Sequence, residues 1–302
     1  LETADDGAIL KKEERPLEPA ELYYQIRCCC AGALLAEVSA SPKPGLVDRY
    51  SSGAHRDMDF YTFLTSITAI APYFEQCARV GAELEQLDGC SLDQLRPLGV
   101  ECEKKMFAAT KGVNTHKGAI FSLGIIAAAA GYCGIQLKDL GVRRVCTAAS
   151  VIAQPAQRDF LRQEDKLTQG RKLYDRYGIR GIRGEAASGF ESVRRYALPV
   201  LEELFSSGQY HENEIYLQTL LHLMAQVEDT NVLARCGREG LAFLRASARE
   251  LLEQGGALTP SGMTALSEMD RIYIEKNLSP GGCADLLSVA IVLYRLSRMR
   301  LS

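Results

Sequence analysis

The sequence predicts an all-α fold, a compact multi-helix globular domain, on three observations. After residue 20, apolar residues recur at three- and four-residue intervals along most of the chain, which places them on one face of a helix. Alternating runs of β-branched residues, the mark of half-buried strands, are scarce. No strand–helix–strand rhythm and no repeat of fixed period breaks the succession. With 302 residues, 47% of them hydrophobic, the chain can bury a large core.

Leu1 to Pro19 is charged, aperiodic and carries two prolines, so it reads as a mobile tail or linker ahead of one all-helical catalytic domain over 20–302. Leu22, Ile26, Cys29, Cys30, Ala33, Leu34 and Glu37 trace the first helix. It stops before Ser41-Pro42-Lys43-Pro44-Gly45, where two prolines enforce an extended path. Phe60, Phe63, Leu64, Ile67 and Ile70 trace the second, with a kink expected at Pro72. Further helices are expected over 92–109, 115–132, 138–151, 156–177, 186–206, 212–227, 237–254, 261–276 and 282–299. Ala119 to Ile135 approaches membrane-spanning length, but Ser122 interrupts it and small residues dominate, so a tightly packed core helix is expected.

Composition narrows the function classes. A net charge of −3, from 35 basic and 38 acidic residues spread along the chain, offers no basic stripe for nucleic acid. No membrane partner is expected either. Ten cysteines occur, Cys28 to Cys30 in a row and the rest singly, with no Cys-x-x-Cys pair. They are expected to be reduced thiols of a cytoplasmic protein rather than disulfides or a zinc site.

Polar and glycine-rich segments between the helices carry the candidate chemistry, and each alone also has an ordinary structural explanation. In Pro42 to Arg49 and Gly53 to Met58, Lys43, Arg49 and His55 can meet phosphate oxygens, and Asp48 and Asp57 are oxygen ligands suited to magnesium. A solvated loop with a helix cap at Asp57 or Asp59 is the plain alternative. In Thr110 to Ala119, Asn114 or Thr115 is expected to cap a helix whose first turn holds His116 and Lys117. Cations there oppose the helix dipole at up to ~1 kcal/mol each, and a bound polyphosphate would reverse that sign.

The tandem Gly-Ile-Arg of Gly178 to Arg183, followed by Gly184-Glu185, is expected as a loop that carries two guanidinium groups and a carboxylate ahead of a helix, with its arginines clamping phosphate. Glu185 could equally serve only its own helix N-terminus. Glu228-Asp229-Thr230-Asn231 ends an apolar helix and could ligate magnesium or position a hydroxyl, or simply cap the next helix. His222, inside that apolar helix, reads as a core residue. In Ser279 to Leu287, Ser279 is expected as N-cap and Pro280 as the first helical residue. Capping does not require the Gly281-Gly282 pair and Asp285, whereas close backbone approach to a phosphate does.

In this order, Pro42 to Arg49 with Gly53 to Met58, Gly112 to Phe121, Arg183 to Ala186, Glu228 to Asn231 and Ser279 to Leu287 resemble the motifs of the triphosphoribosyl-dephospho-coenzyme A synthase family. The likeness spans about Glu37 to the C-terminus, with Cys283 where Ser is more usual. The resemblance implies a cytoplasmic transferase that joins the triphosphoribosyl part of ATP to the 2′-hydroxyl of 3′-dephospho-coenzyme A and releases adenine, with magnesium as cofactor. Its product would pass to a carrier-protein transferase serving citrate lyase or malonate decarboxylase. Some relatives are fused to such a transferase, which would make the N-terminal segment an interdomain linker.

On that resemblance Lys43, Arg49, His55, Asn114, Lys117, Arg183, Asn231, Gly281 and Gly282 are expected to bind substrate or phosphate. Asp48, Asp57 and Asp229 are expected at magnesium, and Glu185, Glu228 and His116 at the chemistry. The absence of a Walker motif agrees, because no γ-phosphate is transferred. The competing readings are an all-helical magnesium-dependent nucleotide hydrolase and a nucleotide-binding scaffold without turnover. The apolar helices also leave room for a homodimer interface.

Overall fold

The computed structural model describes residues 18–161 and 169–301. The expected tail over 1–19 therefore lies almost wholly outside the described residues. Twelve α-helices occur among the described residues, and no strand does. They are α1 (Pro19–Ser39), α2 (Phe60–Glu83), α3 (Ser91–Ala109), α4 (Lys117–Tyr132), α5 (Val142–Ala153), α6 (Gln169–Tyr177), α7 (Gly181–Ala187), α8 (Leu198–Ser207), α9 (Glu212–Gln226), α10 (Thr230–Glu253), α11 (Pro260–Glu275) and α12 (Gly281–Leu296).

Helix α4 is the spine. Its Gly- and Ala-rich surface is buried almost all the way round, so neighbouring backbones approach it closely. It runs parallel to α2. Near their N-termini the Ser66 hydroxyl meets His116 Nδ1 at 2.8 Å. Toward their C-termini a Cβ on Gly81 would lie 1.9 Å from the Ala128 carbonyl oxygen, and one on Gly131 would lie 1.9 Å from that of Ala78. Lys117–Leu137 is apolar and long enough to cross a membrane, but 78% of its most apolar window is buried inside the fold. It packs as a core helix.

Helix α1 runs antiparallel to α2, with Arg27 bonded to Glu75 at 3.0 Å, so its C-terminal Glu37 lies at the end where α4 begins. Helix α12 starts at that same end and its Arg295 returns along α1, where a Cβ on Gly32 would meet the guanidinium at 2.6 Å. Together these passes gather the starts of α4, α10 and α12 and the ends of α1 and α9 around one space.

Several boundaries differ from the expected ones. The helix expected over 156–177 is a 3₁₀ stretch, Gln154–Leu161, and then α6. That over 186–206 divides into a π-turn at Val193–Ala197 and α8, because Pro199 restarts the helix at its second position. Helix α10 begins seven residues earlier than 237, capped by Asp229, and crosses a break at Gly237, where φ is 65° and ψ is −163°. Helix α2 runs on through Pro72.

Candidate active site

The gathered helix ends enclose a cavity of about 1570 Å³. Small-molecule sites typically occupy ~300–1,000 Å³, so two substrates have room here. Lys43, Lys117, Arg183, Asp229 and Gly281, which come from five separate segments, all line it. The first turns of α4, α10 and α12 open on it and bring the positive ends of three helix dipoles to one place.

Lys43 is 1% exposed, and its ammonium bonds the carboxylate of Glu37, itself buried. Burial raises the Glu37 carboxyl above the ordinary range, while Lys43 pulls it down. Such a pair is costly to break from one side and adds little net stability, so its value lies in position. The Lys43 charge is thus already matched, which the sequence alone did not indicate.

His116 is also buried, with its ring edge-on to Phe63 at 4.9 Å. Thr115 donates to the Ser66 hydroxyl oxygen at 2.7 Å. This leaves the Ser66 hydroxyl to donate to His116 Nδ1 and assigns the ring proton to Nε2. Burial, reinforced by Lys43, lowers the His116 pKa to about 3. The ring is therefore neutral near pH 7, and its Nε2 has no hydrogen-bond partner. His116 caps α4 and Lys117 opens it, one residue later than expected, while Asn114 Oδ1 accepts from the Lys117 backbone N–H at 3.2 Å. The Lys117 ammonium bonds Glu103 at 2.8 Å, at the exposed side of the cavity.

Asp229 ties α10 to α12. Its carboxylate accepts from the backbone N–H groups of Asn231 (2.8 Å), Val232 (3.1 Å) and Cys283 (2.8 Å). A Cβ on Gly282 would come within 3.0 Å of that carboxylate, so glycine permits the approach. Gly281 lies under the Asn231 amide, which would be 2.6 Å from an added Cβ. Ser279 does not cap α12, which follows Pro280; its hydroxyl instead meets His55 Nε2 at 2.8 Å. Arg235 donates to His55 Nδ1 at 3.2 Å, and burial with this guanidinium lowers the His55 pKa. His55 thus holds the loop from α1 against the start of α12.

Asp48 and Arg49 do not line the cavity. The buried Asp48 carboxylate accepts from the backbone N–H groups of Lys43, Tyr50 and Ser51 at 2.8–2.9 Å and shapes the loop. Arg49 is exposed and lies over the Tyr50 ring. Asp57 and Glu228 line the cavity from exposed positions. Arg183 and Glu185 sit within α7 rather than in a loop ahead of it. Glu185 accepts from Ser192 Oγ at 2.5 Å and its backbone N–H at 3.3 Å, and burial raises its carboxyl. His222 is half-buried and absent from the cavity lining.

Asp48, Asp57 and Asp229 form no joint metal site. Among the described residues no three His, Cys, Asp or Glu side chains are placed to hold a metal ion. The residues present do not fit a protein-built magnesium cage, because two of the three carboxylates are saturated by backbone donors.

Fold and site define an all-helical protein in which three helix N-termini open on one large cavity. Residues 24–301 match the family ATP:dephospho-CoA triphosphoribosyl transferase (CitG), and the chain belongs to that family. It is 44% identical over 270 residues to the 2-(5″-triphosphoribosyl)-3′-dephosphocoenzyme-A synthase of Pectobacterium atrosepticum, covering 87% of this chain and 86% of that protein. It is 45% identical over 266 residues to the probable synthase of the same name from Pectobacterium carotovorum, covering 87% and 86%. The probable synthase of Vibrio cholerae is 42% identical over 275 residues, covering 88% and 86%. No solved structure matches.

Proposed function

We propose that the cavity binds ATP and 3′-dephospho-coenzyme A together and transfers the triphosphoribosyl group to the 2′-hydroxyl of the second, releasing adenine. The observation that carries this is the match to the transferase family along residues 24–301, on a chain whose helix N-termini share one cavity large enough for both substrates. The bond broken is the N-glycosidic one, and the triphosphate stays intact. Such a reaction needs fixed donors for the polyanion and a group to take the hydroxyl proton. Helix N-termini, Lys117, Arg183 and the Nε2–H of His116 are suited to the first task.

Magnesium is proposed to enter on the triphosphate, held by phosphate oxygens and water with few protein ligands, as is usual for this ion. Free thiols at all ten cysteines agree with the proposed cytoplasmic location. The product is proposed to pass to a carrier-protein transferase. The relatives reported above are named as synthases, which leaves the hydrolase reading without support.

Incubation with ATP, magnesium and dephospho-coenzyme A, followed by mass spectrometry, tests the reaction. The expected result is free adenine together with dephospho-coenzyme A heavier by one triphosphoribosyl group. Release of inorganic phosphate alone, or of adenine without the adduct, would reject it.

A further inference from the structure

The transfer needs a proton acceptor, and the two carboxylates best placed by sequence have other engagements or too little shelter. Glu185 is held by Ser192, and Glu228 is exposed, as is the lining Asp57. Among the other lining carboxylates, Glu37 pairs with Lys43, Glu103 with Lys117, Asp159 with Arg96 and Glu191 with Arg195. Asp229 is saturated by three backbone donors.

Asp285 differs from all of these. It lies one turn into α12 and is half-buried in the cavity lining. An added Cβ on Gly118 would lie 2.0 Å from its Oδ2, so the carboxylate rests against the first turn of α4. It makes no hydrogen bond or ion pair with the protein. In the same cavity, two residues before Gly118, His116 Nε2 is the single buried side-chain nitrogen or oxygen without a partner among the described residues. Two polar groups left open at one helix start mark the place where a ligand completes the bonding.

We propose that Asp285 is the catalytic base, accepting the proton of the 2′-hydroxyl as that oxygen attacks the anomeric carbon of ATP. This assignment rests on the reaction proposed above. The O2′–C1″ bond forms while the C1″–N9 electron pair leaves with adenine. Adenine takes a proton from water, and Asp285 returns the one it accepted to solvent when product leaves. Burial together with the charges of Glu37 and Asp229 raises the Asp285 carboxyl well above its ordinary range, so it holds a proton more tightly than an ordinary aspartate. The charged groups acting on it are Glu37 of α1 and Asp229 at the cap of α10, and Lys43, His116 and Lys117 line the same cavity.

Adduct formation by wild type, Asp285→Asn, Asp285→Ala, Glu185→Gln and Glu228→Gln tests the assignment. Asp285→Asn is expected to lower kcat by about 10²–10⁴-fold with the KM for ATP changed less than about threefold. Formate is expected to restore part of the activity of Asp285→Ala. The two glutamine variants are expected to keep kcat within about tenfold of wild type. Asp285→Asn removes a charge that Glu37 and Asp229 oppose, so its urea midpoint should not fall. A lower midpoint accompanying lost activity would make Asp285 structural and overturn the assignment. So would an Asp285→Asn enzyme within tenfold of wild-type kcat, or no rescue by formate. Wild type that forms no adduct would instead end the reaction proposed above.

Discussion

His116 shows how far one side chain's surroundings set its chemistry. Its sequence position suggested a cation in the first turn of a helix, yet burial beside Lys43 makes it a neutral donor. A stability effect follows, with a definite sign. The folded pKa is depressed to about 3 against ~6.5 unfolded, so between these values the unfolded chain binds a proton that the folded one refuses. Stability is thus complete above pH ~6.5 and falls as pH drops toward 3. Between pH 7.5 and 5 this one group is expected to remove about 2 kcal/mol. Urea titrations of wild type and His116→Asn at both pH values check it. The variant should lose less stability than wild type on acidification, and equal losses would reject the depressed pKa.

At the scale of elements, the decisive contacts are those where glycine lets helices touch. Helices α2 and α4 meet through Gly81 and Gly131, each facing a backbone carbonyl that cannot move aside like a side chain. Gly131→Ala is expected to cost about 3 kcal/mol or more, at the upper end of overpacking effects. Gly170→Ala, in α6 with open space around it, should change stability by less than about 1 kcal/mol in either direction. Chemical denaturation of both compares them directly.

The same scale explains what the sequence disclosed. The apolar periodicity of α1 and α9 is local information, and those helices were legible to within about two residues, whereas α2 was traced only from Phe60 to Ile70 and runs on to Glu83. The break inside α10 and the restart at α8 depend on tertiary packing and were not. Site residues were legible as residue types in loops, but their engagements were not. Asp48 and Asp229 look like metal ligands until their backbone donors are seen. Glu37 hid at the polar end of an apolar helix, and Asp285 was visible only as a carboxylate that capping did not need. Such facts depend on contacts between segments up to 250 residues apart, which no local pattern carries.

For the molecule as a whole, the cavity belongs to no single element. Its walls come from α3, α6 and α7, the ends of α1 and α9, the starts of α4, α10 and α12 and the loop after α1, among others, so a ligand that fills it must fasten segments distant in sequence. Binding to the folded state alone stabilises by RT ln(1 + [L]/Kd), about 2.7 kcal/mol at a hundredfold excess over Kd. If one polyanion is gripped by several helix starts, that stabilisation is shared among them. Hydrogen exchange with and without saturating ATP and magnesium is therefore expected to show slowed exchange together in residues 43–55, 114–119, 181–187, 229–233 and 281–286. Inorganic tripolyphosphate should reproduce the effect at the starts of α4, α10 and α12, where backbone N–H groups and dipoles supply the attraction. Protection by ATP confined to one of these segments would mean that the convergence of helix starts is a feature of packing and not the binding site.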